Sequence, residues 1–369
     1  MARKERIAIY GQIEAHRKHP LLVYVTSKRS GIAGAFMATD ALPYIIEQLD
    51  VLPKGTKEVD LLIAGYGGDP MVAWRIMSLI RQRIGNDGRV FVLIPQSAYS
   101  AVTLLALGGN KIIIHPNGHL GPLDMQITSA GETGHPRLYS TEEISVFLDF
   151  VRDNLRITDQ EHIRALLEGI CKEVGSLGIG FTVRSAKLAV DLGERLLSMH
   201  MKDNDERKLR SLVENMSRRF QSHAYPISRP EAMDIGLPIL DPSDPVLDDL
   251  MWAAWLEIEK ELKERTPFNP LLELLNSGEA ATLLAPVPQL ALPVNAPSPN
   301  HFQATLKDVT GAIKEVKPID FETKIVLVDS TRTTHILVSR GKILACRLPN
   351  LVIHFNAVTT FRGWEQTSG

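Results

Sequence analysis

Four short apolar segments alternate with helical segments in the first third of the chain, and this alternation constrains the fold more than any other feature. The apolar segments are Leu21–Thr26, Asp60–Ala64, Val90–Pro95 and Lys111–His115. Each is rich in leucine and β-branched residues with little polar alternation, which is typical of strands buried on both faces. Helices are predicted between them, over Asp40–Leu49 and Met71–Ile84. Strands that alternate with helices form βαβ units, so we predict an α/β fold with a mostly parallel sheet.

Charge and hydropathy exclude several classes of partner. Lys plus Arg number 41 against 43 for Asp plus Glu, so no basic excess favours nucleic-acid binding. No apolar run approaches the roughly 20 residues that span a bilayer, and the first residues lack the apolar core of a secretory signal. The two cysteines, Cys171 and Cys346, lie too far apart to indicate a disulfide framework or a zinc site. We expect a cytoplasmic protein with no cofactor, no metal and neither nucleic acid nor membrane as partner.

Composition divides the chain into four predicted regions. Residues 1–20 form an N-terminal helical arm whose apolar side packs on another subunit or faces solvent. Residues 21–265 form the main domain, which turns mainly helical after Thr141. Residues 266–300 form a linker rich in Pro and Ala, and residues 301–369 contain short strands separated by turn signals. The last region is predicted to be a small all-β domain, either a barrel or a sandwich.

A glycine turn follows the second predicted strand, where Gly67 and Gly68 precede a helix. Adjacent glycines let the backbone turn its N–H groups outward, which is what an oxyanion hole at a strand end requires. The glycine spacing matches neither the dinucleotide fingerprint nor the P-loop, and no lysine follows it. A purely structural tight turn is the alternative interpretation.

A serine-headed helix follows the third predicted strand, and Ser97 and Ser100 lie at its start. Free N–H groups at a helix N-terminus stabilise developing negative charge, although serine is also an ordinary N-cap residue. The carboxyl ends of neighbouring parallel strands lie side by side, so the loop that carries these serines and the glycine turn should lie at the same edge of the sheet. A nucleophile beside an oxyanion hole is therefore predicted there.

The segment after the fourth strand supplies His115, His119 and Asp124. Two histidines and a carboxylate near a serine suit a catalytic triad. Either histidine could instead be an ordinary loop residue.

The order of these elements resembles the Clp/crotonase fold, and more narrowly the SDH family of Clp-fold serine proteinases, which are relatives of signal peptide peptidase A. The resemblance covers about residues 15–245. The matching pieces are Pro20–Ser27, Asp60–Ile63 with Gly67–Asp69, Ser100–Ala101 with Thr103–Leu107, Leu120–Asp124, and Ser222–Ser228 with Glu231–Ala232 and Gly236–Leu237. It implies a Clp/crotonase-like main domain with a helical C-terminal part.

The resemblance also implies roles for individual residues. It makes Ser100 the nucleophile, with Ser97 as the fallback, and makes the backbone N–H groups of Gly67 and Gly68 the oxyanion hole. A base is then needed, and His223 oriented by Asp124 is chemically sensible. Relatives of the signal-peptide-peptidase type use a Ser–Lys dyad instead. Four lysines of the helical region are open candidates for that base: Lys172, Lys187, Lys202 and Lys208.

Three functions remain open on this basis. The resemblance implies a cytoplasmic serine peptidase that cleaves polypeptides through an acyl-enzyme on Ser100, in a homo-oligomer built as a ring or from trimers. Tyr66 and Val102 stand where relatives carry proline and a small residue, and either could narrow the site. The first alternative is a catalytically weak or inactive scaffold that recruits a partner through the C-terminal β-domain. The second alternative is acyl-CoA chemistry of the crotonase kind.

Overall fold

The fold is that of a computed structural model, which describes residues 2–85, 87–123, 126–129, 137–140, 146–202, 205–220, 222–241, 244–285, 313–348 and 352–367. The α/β prediction is confirmed, because a central sheet is covered by helices on both faces. The strands of this part of the chain are β1 (Leu21–Thr26), β2 (Glu58–Ala64), β3 (Arg89–Ile94), β4 (Ser97–Ala98), β5 (Lys111–Ile114), β6 (His119–Leu120), β7 (Gln126–Ser129), β8 (Arg137–Ser140), β9 (Lys314–Glu315), β10 (Ile319–Asp329), β11 (Thr334–Arg347) and β12 (Ile353–Gln366).

The central sheet has the order β12-β11-β10-β1-β2-β3-β5, with β9 paired to β11. The strands β1, β2, β3 and β5 are parallel, as their double-sided burial predicts, with Val25 opposite Ala64 and Leu62 opposite Leu93. The strands β10, β11 and β12 form an antiparallel extension on β1. Small pairs form away from this sheet, β4 with β6 and β7 with β8.

The helices are α1 (Ala2–Arg17), α2 (Leu42–Asp50), α3 (Pro70–Ile84), α4 (Ala101–Ala106), α5 (Gln160–Val174), α6 (Ser176–Ser198), α7 (Glu206–Arg218), α8 (Arg229–Ile235), α9 (Pro245–Leu262), α10 (Pro270–Leu275) and α11 (Ala280–Leu284). One face of the sheet packs against apolar side chains of α2, α3, α4, α6 and α7. The other face packs against α1 and α9. No helix of the described residues is both long and apolar enough to span a membrane.

The C-terminal strands differ from the expected barrel or sandwich. Val326 to Asp329 of β10 pair with Val23 to Thr26 of β1, so these strands extend the central sheet instead of closing on themselves. Part of the predicted linker is also ordered into α10 and α11, whose Leu274 and Leu283 are buried against Ile343 of β11. Residues 286–312, which include the rest of that linker, lie outside the described residues. The division into four domains stays a prediction.

The N-terminal helix α1 packs on its own chain. Tyr10 and Ile13 are fully buried against α9 and the sheet. The guanidinium of Arg6 donates to Asp329 at 2.6 Å and to Glu261 at 2.9 Å, and none of its side chain is exposed. The apolar side of the predicted arm is therefore already covered within this chain, because α1 closes the second core.

Candidate functional site

Two loops at the carboxyl edge of the sheet are hydrogen-bonded to each other. Gly65, directly after β2, donates its N–H to the carbonyl of Ser97 at 3.0 Å. In return, the N–H of Tyr99 donates to the carbonyl of Gly65 at 3.0 Å. The glycine turn and the serine loop thus meet at one edge of the sheet, because β2 and β3 are parallel neighbours.

Two glycines of the turn are required by their positive φ, and Gly68 also by close approach. Gly68 has φ +144°, and a Cβ there would lie 2.2 Å from the carbonyl oxygen of Met37. Gly67 has φ +127°, and a Cβ there would lie 3.0 Å from the Cβ and 3.3 Å from the Oγ of Ser100. The carbonyl of Gly67 accepts from the N–H of Met37 at 2.8 Å. Within the described part of the chain, the N–H groups of Gly67 and Gly68 donate to no protein acceptor.

Ser100 sits on a sharp backbone turn between β4 and α4. Its φ of +51° and ψ of −117° are strained for a residue with a Cβ, and such strain persists only where neighbouring contacts enforce it. The hydroxyl of Thr103 supplies such a contact by donating to the carbonyl of Ala98 at 2.5 Å. The turn directs the half-buried Ser100 side chain toward Gly67. Among the described residues, no hydrogen bond engages the Ser100 hydroxyl.

A lysine that the sequence analysis missed lies at the same edge. Lys28 follows β1, and its Nζ donates to the Oγ of Ser97 at 2.9 Å and also to the Oε1 of Gln96. The ammonium group lies over the ring of Trp255 at 4.6 Å and over the ring of Tyr66 at 5.7 Å. Burial lowers the pKa of Lys28 to about 8, against the opposing charges of two nearby glutamates.

His119 and His115 lie in different surroundings. The Nε2 of half-buried His119 is 2.9 Å from the hydroxyl oxygen of Tyr99, the residue before Ser100. Burial, and then the charge of Lys28, lowers the pKa of His119. His115 stacks on Trp252 with ring centroids 5.0 Å apart, and its Nδ1 accepts from the N–H of Asn117 at 3.0 Å. We therefore assign His115 to the packing under α9, where burial lowers its pKa.

The expected bases are only partly described. His223 is half-buried in the loop between α7 and α8, and Asp124 lies outside the described residues. The neighbouring carbonyl of Ala224 accepts from the hydroxyl of Tyr99 at 3.4 Å, so this loop reaches the residue before Ser100. The four candidate lysines are all exposed on their helices or the following turn: Lys172, Lys187, Lys202 and Lys208. In the chain as described, no cluster of His, Cys, Asp or Glu could hold a metal ion.

Tyr66 and Val102, the two departures from the family pattern, occupy different places. Tyr66 is 51% exposed at the mouth of the turn, where its ring packs against Tyr99 with centroids 5.7 Å apart. Val102 is buried beneath Gly65, 3.4 Å from the place where a Cβ of that glycine would lie. Of these two residues, Tyr66 therefore lines the entrance and Val102 belongs to the core.

Comparisons with known proteins add little beyond this geometry. No protein-family model matches the chain. The chain is 24% identical over 240 residues to an uncharacterized protein of Methanocaldococcus jannaschii, a match that covers 63% of this chain and 73% of that protein. It is also similar to a solved enoyl-CoA hydratase from Shewanella pealeana, at 10% identity and a TM-score of 0.29, over 67% of this chain and 83% of that one. A TM-score this low carries no argument about fold or activity.

Proposed function

We propose that this protein is a serine hydrolase that cleaves peptide bonds through an acyl-enzyme on Ser100. The observation that carries the proposal is the strained turn that holds the Ser100 side chain against Gly67. A strained turn of this kind is typical of nucleophiles that must project from the end of a strand. The unengaged N–H groups of Gly67 and Gly68 suit the oxygen of the carbonyl that this serine would attack.

In the proposed reaction, the Oγ of Ser100 attacks the scissile carbonyl carbon while a base takes the hydroxyl proton. The negative charge that forms on the carbonyl oxygen is stabilised by the N–H groups of Gly67 and Gly68. The C–N bond then breaks, the base returns the proton to the leaving amine, and the acyl group stays on Ser100. Water, deprotonated by the same base, releases the acid and restores the serine.

The proposed base is His223, oriented by Asp124. The half-buried position of His223 and the contact of the neighbouring Ala224 with Tyr99 support this choice. The four lysines of the helical region are less suited, because all four are exposed, whereas a lysine that serves as a base is activated by burial.

Ser97 with Lys28 is a second candidate pair for nucleophile and base. Their 2.9 Å hydrogen bond and the lowered pKa of the amine suit a Ser–Lys dyad. Against this, only 1% of Ser97 is exposed, and its Oγ donates to the Oε1 of Gln96 at 2.6 Å. A substrate carbonyl therefore has far less access to Ser97 than to Ser100.

A fluorophosphonate probe that labels active serines tests the proposal. We expect the purified protein to become labelled and to cleave unstructured polypeptides. Ser100→Ala should abolish both activities, a loss of more than about 1000-fold in rate. Ser97→Ala is the matched control and should retain labelling. If the folded wild-type protein takes up no label, the proposal is wrong, and if only Ser97→Ala abolishes labelling, the nucleophile is Ser97.

The homo-oligomer is also proposed, and exposed apolar side chains on α6 support it. Leu177 is 89% exposed, and Phe181 and Leu188, four and eleven residues further along the same helix face, are also exposed. A patch of this kind marks an interaction surface more often than open surface. Light scattering after size-exclusion chromatography should show an oligomer for the wild-type protein and smaller species for Leu177→Glu.

The scaffold alternative is supported by the edge strand β12. Within the described residues, this strand of 14 residues pairs only with β11, and its Phe355, Val358 and Phe361 are exposed. An unpaired strand edge is a ready template for another strand. If Val358→Lys abolishes partner capture and biological activity while Ser100→Ala leaves both intact, recruitment is the function and catalysis is not.

A further inference from the structure

Lys28 carries a partly buried cation, and the described residues give its ammonium no carboxylate partner. Two of its N–H groups go to the neutral oxygens of Gln96 and Ser97, and the rings of Tyr66 and Trp255 flank it. Across the described residues, no Asp or Glu oxygen forms an ion pair with its Nζ. A desolvated charge is costly unless a partner of opposite charge compensates it.

Two glutamates lie near enough for their negative charges to act on the Lys28 ammonium, but their carboxylates accept hydrogen bonds from other groups. Both carboxylate oxygens of Glu264 accept from the backbone N–H of Lys28 at 2.9 Å, and burial raises the pKa of Glu264. The carboxylate of Glu259 accepts from the Nε of Arg265 at 2.7 Å. Burial, and then the positive charge of Lys28, lowers the pKa of His119, so this histidine gives the ammonium no negative charge. The ammonium therefore keeps one N–H for a further acceptor, because Lys has three donors.

Lys28 is also placed to act on a substrate of Ser100. Tyr66, whose ring covers the ammonium, directly precedes Gly67, and half of its surface faces solvent. Ser97, which accepts from the ammonium, lies three residues before Ser100. A group bound at Lys28 would therefore lie beside the turn that receives the scissile carbonyl.

We propose that Lys28 binds an anionic group of the substrate, a carboxylate or a phosphate, next to the bond that Ser100 attacks. The statement that this ligand is a substrate rests on the proposed function, whereas the anion site itself does not. A ligand anion would supply the compensating charge that the chain leaves out. It would also accept the third N–H of the ammonium.

Thermal unfolding with small anions tests the site without any activity. We expect succinate or inorganic phosphate to raise the Tm of the wild-type protein by at least about 2 °C at saturation, and neutral succinamide to leave it unchanged. Lys28→Met should lose this rise, while Lys54→Met, which removes an exposed lysine, should keep it. The stronger of the two anions identifies the ligand as carboxylate or phosphate. An equal rise in wild type and Lys28→Met, or no rise in the wild type, overturns the inference.

Paired peptide substrates then test specificity. If the ligand is a carboxylate, peptides with one Asp next to the cleaved bond should exceed their Asn counterparts about tenfold in kcat/KM. This preference should vanish in Lys28→Met, or in Lys28→Gln if the methionine variant does not fold. Cleavage with no such preference in the wild type overturns the substrate role. Absence of both cleavage and probe labelling would instead defeat the proposed function, and the Tm experiment would still decide whether the anion site exists.

Discussion

Arg6 and Lys28 are both cations removed from water, Arg6 completely and Lys28 in part, but the charges of their partners differ. Arg6 is fully buried under the sheet, where Asp329 and Glu261 surround it with negative charge. Burial disfavours its charged form, but these partners more than offset that cost and raise its pKa. Lys28 has neutral oxygens and aromatic rings instead, so burial lowers its pKa to about 8. Burial alone therefore does not set the pKa of a cation, because the charge of its partners decides the direction of the shift.

The largest effect is expected from breaking the Arg6 network. Asp329→Asn removes the closest negative charge from a buried guanidinium, and leaving such a charge unpaired costs about 3–5 kcal/mol. Urea unfolding should show this loss. Asp320→Asn is the control, because its ion pair with Lys342 is exposed and should contribute less than about 1 kcal/mol. Similar losses of unfolding free energy in the two variants would contradict the prediction that the buried ion pair of Arg6 contributes more to stability than an exposed one.

Lys28→Met should change the free energy of unfolding in the opposite direction to Asp329→Asn. At pH 7 the folded protein holds a desolvated ammonium, so replacing it should stabilise the fold by about 1–2 kcal/mol after the loss of two hydrogen bonds. The folded pKa of about 8 lies below the ordinary 10.5, so the wild-type protein gains stability as the pH rises between these values.

The advantage of Lys28→Met should therefore shrink from pH 8 to pH 10.5. Unfolding curves of both proteins across this range measure the change, with Lys54→Met as a reference of equal charge. A constant difference between Lys28→Met and wild type would mean that the ammonium is as well solvated in the fold as outside it.

The smallest effect concerns Tyr66. Its ring lies 5.7 Å from the ammonium, and a cation–π contact of this kind contributes about 0.5–1 kcal/mol to the charged form. Tyr66→Leu should thus lower the pKa of Lys28 by about half a pH unit. Carbon-13 NMR of the lysine Cε measures it directly, and Met71→Leu, an exposed neighbour, should leave it unchanged.

Sequence was sufficient for the features that depend on local pattern. The predicted helix over 71–84 corresponds to α3. Its N-cap residue Asp69 and its stripe of apolar side chains are both local features of the sequence. The meeting of Gly65 with Ser97 followed from the rule that parallel strands end at one edge. The roles of Ser100, Gly67 and Gly68 stay predictions.

Lys28 could not be found in this way, because its surroundings come from distant parts of the chain. Trp255 and Glu264, which define its burial, lie more than 200 residues further on. The position of β10 in the central sheet could not be predicted for a similar reason. An apolar run such as Ile325–Val328 shows that a strand is buried, but it does not show which strand will be its neighbour.

The pairing of β1 with β10 has a consequence for biosynthesis. Val25 lies opposite Leu327, so 327 − 25 = 302 residues separate the two partners. At about 5–20 residues per second, a ribosome needs about 15–60 s to deliver β10 after β1 has been made. During that interval one side of β1 presents unpaired backbone groups to other nascent chains. Productive folding in the cell therefore depends on how well the unpaired edge of β1 is shielded until translation is nearly complete.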